Sequence, residues 1–196
     1  MATKQLPENP EIEPLTRTQI LIAMGATAVV LLLISKLCLQ FGSISLLPLR
    51  LTVKALLLGV GLGLGISGAS SIVYRLWPAY QRSADYYLEL VLKPLLWIDL
   101  IWLGLLPGLS EELLFRGVML PAVGLNVVGL VGSSFCFGIL HLSSPQQWSY
   151  AVWATTVGLL LGYSALATGN LLVPIVAHIT TNVISSCLWK LDYKKL

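Results

Sequence analysis

The sequence predicts an all-α fold, a polytopic membrane bundle of about six transmembrane helices. Two observations carry this. Of the 196 residues, 56% are hydrophobic and only 11% are charged, against about 25% charged in a soluble domain. The apolar residues also fall into six runs, at 19–41, 53–74, 95–120, 126–142, 148–167 and 170–189. Each approaches the roughly 20 apolar residues that a spanning helix needs. In lipid every backbone group must find its partner within the protein, so these segments are helices.

Residues 1–17 are polar, with Pro7, Pro10 and Pro14, and read as a mobile tail. The first run reads as a retained helix and not a cleaved signal. Glu8, Glu11 and Glu13 stand where a signal needs basic residues, and Ala26-Thr27-Ala28 falls early in the run instead of after it. The second run contains Gly63-Leu64-Gly65-Ile66-Ser67-Gly68, a GxGxxG pattern. That pattern binds dinucleotides only between a strand and a helix, so inside a span it reads as close packing, through Gly61 and Gly65 as GxxxG. The breaks fall at Gly42 to Arg50, Trp77 to Lys93, Pro121 to Asn126, Ser143 to Gln147 and Thr168 to Asn170. The last two are short enough to make the final three helices antiparallel neighbours. A tail over 191–196 closes the chain.

Charge gives an orientation and excludes one partner class. The net charge of +3 is small and scattered, so nucleic acid is not a partner. With six spans, Lys4, Arg17, Arg75, Arg82, Lys93, Lys190, Lys194 and Lys195 share one side, against Lys36, Arg50 and Lys54 on the other. The positive-inside rule then places both termini in the cytoplasm of an integral membrane protein. Cys38, Cys136 and Cys187 have no CxxC or His-rich spacing and read as small packing residues.

The informative residues are polar and lie within the apolar runs: Glu111, Glu112, Arg116, His141, His178 and Asn182. An ionisable side chain at bilayer depth costs about 2.5–3.5 kcal/mol even on a lenient scale. Taken singly, each fits a polar network that locks helices together; taken as a set they point to a site. Glu112 and Arg116 are four apart and face the same side of a helix, where they can pair. Glu111 is rotated by about 100° from Glu112. His178 and Asn182 repeat the four-residue spacing, as do Phe137 and His141. If the helices alternate in direction, Glu111, His141 and His178 fall within roughly 10 Å of one level. No serine or cysteine has its own base. Ser110 follows Pro107-Gly108, which suggests a helix restart with Ser110 as its N-cap.

Glu111-Glu112-Leu113-Leu114-Phe115-Arg116-Gly117 resembles the EExxxR motif of the type II CAAX prenyl endopeptidase and bacteriocin-processing family (CPBP, also called Abi). Phe137 to His141 is similar to its FxxxH motif and His178 to Asn182 to its HxxxN motif, in the same order. The resemblance implies a four-helix catalytic core over 95–190 and intramembrane proteolysis of a membrane-associated or prenylated peptide or protein substrate; the two helices over 18–94 carry no signature of the family and read as accessory. It implies Glu111 as general base helped by His141, His178 and Asn182 as oxyanion donors, and Glu112 with Arg116 as a supporting pair beside Phe137. A metal-free, glutamic-type mechanism is the favoured reading. In a metallo-type mechanism, Glu111, His141 and His178 are the zinc set. Two other classes stay open: a non-catalytic scaffold or immunity-type protein, and a transporter with Asp99, Glu111, Glu112 and the histidines as a relay.

Overall fold

The computed structural model describes residues 15–193. Within them, Thr16 opens the first helix with a reciprocal cap: its hydroxyl accepts from the Gln19 amide, and the Gln19 side chain accepts from the Thr16 amide. Helix α1 runs Arg17–Phe41 and α2 runs Val53–Leu76. The expected tail over 1–17 therefore ends in a cap and the first residue of α1, and its first fourteen residues lie outside the described ones. The expected tail over 191–196 is helical through Tyr193, the end of α8 (Leu172–Tyr193).

The break from Trp77 to Lys93 is a helix, α3 (Pro78–Leu92), and not a simple connection. Pro78 sits at its first position, where a missing N–H costs nothing. Tyr80, Ser83, Ala84 and Leu92 are buried while Arg82 and Tyr86 face outward. Its charged residues lower the mean hydropathy, yet the apolar spacing of an amphipathic helix is there.

Helix α4 (Asp99–Glu112) continues without a break through a π-helical stretch, Leu113–Met119, into α5 (Leu120–Val123). Helix α6 (Val127–Leu140) is capped by the Asn126 side chain, which accepts from the amides of Val128 and Gly129. A 3-10 turn at Pro145–Gln147 leads into α7 (Trp148–Thr168). Gly169 then takes a left-handed φ of 56°, which ends α7 sharply and lets α8 turn back against it.

Four helices, α1, α2, α7 and α8, are long and apolar enough to cross a membrane. The continuous 99–123 segment and the shorter α6 supply two further apolar elements. The outer surface carries large apolar side chains such as Leu33, Leu57, Leu64, Val128 and Phe135, while Glu112, Arg116, Ser133, Ser134 and His178 are buried. Apolar outside and polar inside is the distribution a bilayer demands. The chain is an integral membrane protein built of helices.

Helix α8 is central, packing against α2, α4 and α7, while α6 packs along α7. The α2–α8 contact runs through Gly59 and Gly63, not Gly61 and Gly65. A Cβ on Gly63 would lie 2.6 Å from the Ala177 carbonyl, whereas Gly61 and Gly65 have nothing within 4 Å. GxxxG packing is present, two residues earlier than expected, because the face turned to α8 is the one carrying Ala55, Gly59, Gly63 and Ile66.

Both ends of the bundle are tied. At one, the Arg17 guanidinium makes a two-point ion pair with Asp99, at 2.7 and 2.8 Å, joining the starts of α1 and α4. At the other, the extended connection after α1 places the Leu47 amide 3.0 Å from the Gly117 carbonyl. Pro121, four residues on, has no N–H to give that carbonyl. The Asn170 side chain both accepts from the Arg50 amide and donates to its carbonyl.

Candidate functional site

Pro107 lies inside α4 and the helix does not restart, so Ser110 is not an N-cap. The Ser110 hydroxyl instead donates to the Leu106 carbonyl at 2.7 Å within the same helix. The proline leaves the Leu103 carbonyl, four residues back, without its helical donor. The Asn182 side-chain amide reaches that carbonyl at 3.5 Å. A neighbouring helix thus meets the group the proline frees, and the helix survives.

The π-helical stretch begins directly after the two glutamates. Its wider turns are uncommon and concentrate at functional sites. It carries Arg116 fully into the interior, at 0% side-chain exposure, as is Glu112. Arg116 Nη1 donates to Glu112 Oε1 at 2.7 Å and Nη2 to the Gly158 carbonyl at 2.9 Å. Its guanidinium carbon stands 4.4 Å from the centre of the Phe137 ring, a cation–π contact. The close approach of α7 at Gly158 is what admits the guanidinium; a Cβ there would sit 3.2 Å from Nη2.

The same Glu112 oxygen lies 2.8 Å from His178 Nδ1. A carboxylate only accepts, so Nδ1 carries the hydrogen and Nε2 is the nitrogen left for other partners. His178 is thereby joined to Glu112 and Arg116.

Glu111 faces elsewhere, as its rotation around the helix requires. Its Oε2 is 4.0 Å from His141 Nε2. His141 Nδ1 is 2.8 Å from the Phe137 carbonyl, again an acceptor only, so a neutral His141 presents Nε2 as a lone pair. Glu111 Oε2 is buried with no hydrogen-bond partner. Two acceptors therefore stand close together, on side chains that are 16% and 27% exposed. A water donating one hydrogen to each would turn its oxygen lone pair away from both. Phe137 contacts both histidines, its ring centre 4.6 Å from that of His141 in a tilted pair and 5.9 Å from that of His178 edge-on.

Of the residues singled out from sequence, Glu111, Glu112, Arg116, Phe137, His141 and His178 form one connected cluster. The hydrogen bond of Asn182 goes to Leu103, one turn before Pro107. The zinc set Glu111, His141 and His178 does not converge: among the described residues, no three His, Cys, Asp or Glu side chains are grouped to hold a metal ion. Asp99 is held by Arg17 and by the Leu96 amide at 2.7 Å, which removes it from a relay. Cys136 and Cys187 pack beside apolar clusters, and all three cysteines are free.

Sequence reasoning missed Gly158, Tyr87 and Tyr150. The Tyr87 hydroxyl lies 2.9 Å from the His141 carbonyl, and the Tyr150 ring centre is 6.1 Å from that of His141. The signal for Tyr87 was the tyrosine pair at 86–87 in a segment read as a connection.

Residues 93–184 match the model of the "Type II CAAX prenyl endopeptidase Rce1-like" family. The chain is 33% identical over 94 residues to "Uncharacterized protein YpbD" of Bacillus subtilis, covering 48% of this chain and 47% of that one. It is 34% identical over 84 residues to "Uncharacterized protein YyaK" of the same organism, covering 38% of this chain and 27% of that one. The matched part thus spans about half or less of the length of these relatives. No solved structure matches. The segment 93–184, which carries every member of the buried cluster, is thus similar to the Rce1-like family of type II CAAX prenyl endopeptidases.

Proposed function

We infer that the chain is an intramembrane endopeptidase of glutamic type, with Glu111 as general base and His141 as its partner on the water. The observation that carries this is the approach of Glu111 Oε2 to His141 Nε2 at 4.0 Å, with the other His141 nitrogen engaged by Phe137. A water between them loses a proton to Glu111 as its oxygen bonds to the scissile carbonyl carbon. The tetrahedral intermediate then collapses by breaking the C–N bond, and Glu111 returns the proton to the leaving amine. General-base assistance of this kind contributes about 10²–10⁴-fold.

The oxyanion needs donors. His178 can serve through Nε2 in its imidazolium form, because Nδ1 is committed to Glu112. Asn182 keeps a second N–H beyond the one turned to Leu103. Glu112 and Arg116 hold His178 in place. Residues 95–190 supply the catalytic core, and α1 and α2 support it. The substrate is a peptide or protein held in the bilayer, and both termini face the cytoplasm.

The test is substrate trapping in native membranes. Glu111→Gln, which keeps shape and loses basicity, should retain membrane proteins that the unaltered chain releases as cleaved products. Identical captured sets and identical product termini for the two forms would sink the reading.

A further inference from the structure

We propose that Tyr87 is a positioning residue for His141, acting from α3, which lies before the family-matched segment. Helix α6 ends at His141, whose carbonyl is among the last ones with no intrahelical donor. The Tyr87 hydroxyl fills that place at 2.9 Å. A phenol has one hydrogen, which faces two acceptors, the His141 carbonyl and the Ser143 hydroxyl at 2.6 Å, while its oxygen accepts from the Ser143 amide at 3.0 Å. Three contacts clamp the residues on which α6 unwinds.

The ring of Tyr87 adds a second route. Its centre is 4.5 Å from that of Tyr150, which in turn faces His141 on a ring already packed by Phe137. Fixing the His141 backbone fixes its Cα–Cβ direction, and with Nδ1 anchored on Phe137 the remaining freedom is the aim of Nε2 at Glu111. Small misplacements of a catalytic group, near 1 Å, can cost on the order of 10²-fold in rate. Helix α3 is thereby part of the site's geometry and not only a cover over it.

This inference rests on the proteolytic reading only for its kinetic consequence, so its test has two arms. The chain has just two histidines, His141 and His178, so ring-nitrogen NMR of ¹⁵N-histidine protein resolves them. Tyr87→Phe should shift or broaden the His141 signals and leave His178 unchanged, and should lower kcat about tenfold with KM retained. Ser83→Ala is the control: it removes another α3–α7 contact, the 2.8 Å Ser83–Ser149 pair, without touching His141. If Tyr87→Phe disturbs both histidines, Ser143→Ala replaces it and the same His141-only change is required. His141 signals or kcat indistinguishable from those of Ser83→Ala would overturn the proposal. If the unaltered protein cleaves nothing, the proteolytic reading fails, and the NMR arm alone decides whether Tyr87 sets His141.

Discussion

His178 and Glu112 are joined through Nδ1 and Oε1 at 2.8 Å, on the same carboxylate oxygen that accepts Arg116 at 2.7 Å. The two adjacent glutamates thus have separate partners. Glu112 holds α8 to the π-helical turn, and Glu111 is left to face His141. One residue of helical rotation separates the two sets of contacts.

Arg116 makes more of these contacts than His178 does. It loses its water entirely and is repaid by Glu112, the Gly158 carbonyl and the face of Phe137. Removing one member of such a buried pair costs about 3–5 kcal/mol. Arg116→Ala should therefore lower the thermal unfolding temperature in detergent more than His178→Ala does. Equal unfolding temperatures would contradict the pairing.

Asn182 and Pro107 are coupled through the Leu103 carbonyl. Asn182→Ala strips that carbonyl of its donor, while Pro107→Ala gives it back a helical N–H. In a double-mutant cycle read by thermal unfolding, Pro107→Ala should offset part of the Asn182→Ala loss, with a coupling of about 0.5–1 kcal/mol. Additive losses would show that Asn182 does not cap this carbonyl.

The α2–α8 interface makes a sharper claim about register. Gly63→Val would drive a side chain into the Ala177 backbone, whereas Gly61→Val meets nothing. The first should destabilise by about 1–3 kcal/mol and the second by only a few tenths. Similar thermal stabilities for the two variants would overturn the packing described.

Much of this was readable in the sequence, for identifiable reasons. The apolar runs and the polar residues inside them report directly on a bilayer, and the pairing of Glu112 with Arg116 follows from helical spacing alone. What escaped depends on contacts between helices distant in sequence. Spacing cannot say that His178 meets Glu112, because that bond crosses from α8 to α4. The proline at 107 reads as a stop until Asn182 is seen beside Leu103. Helix α3 was hidden because hydropathy averaged over a half-buried helix resembles a loop, although Tyr80, Ser83, Ala84 and Leu92 already had its period. The glycine face of α2 was misread by two residues, since GxxxG occurs there in two overlapping registers.

A metal-free mechanism makes a separate prediction. Protein purified and assayed with excess chelator should cleave at its original rate, and added zinc should not raise it. Loss of activity with chelator and recovery with metal would replace Glu111 as sole activator of water.

The most direct measurement is the cleavage rate of reconstituted Glu111→Gln protein, set against the unaltered chain on a substrate recovered from the trapping experiment. The account predicts a fall of at least about 10²-fold, and up to about 10⁴-fold, with the unfolding temperature retained. Cleavage by Glu111→Gln at the original rate would contradict it.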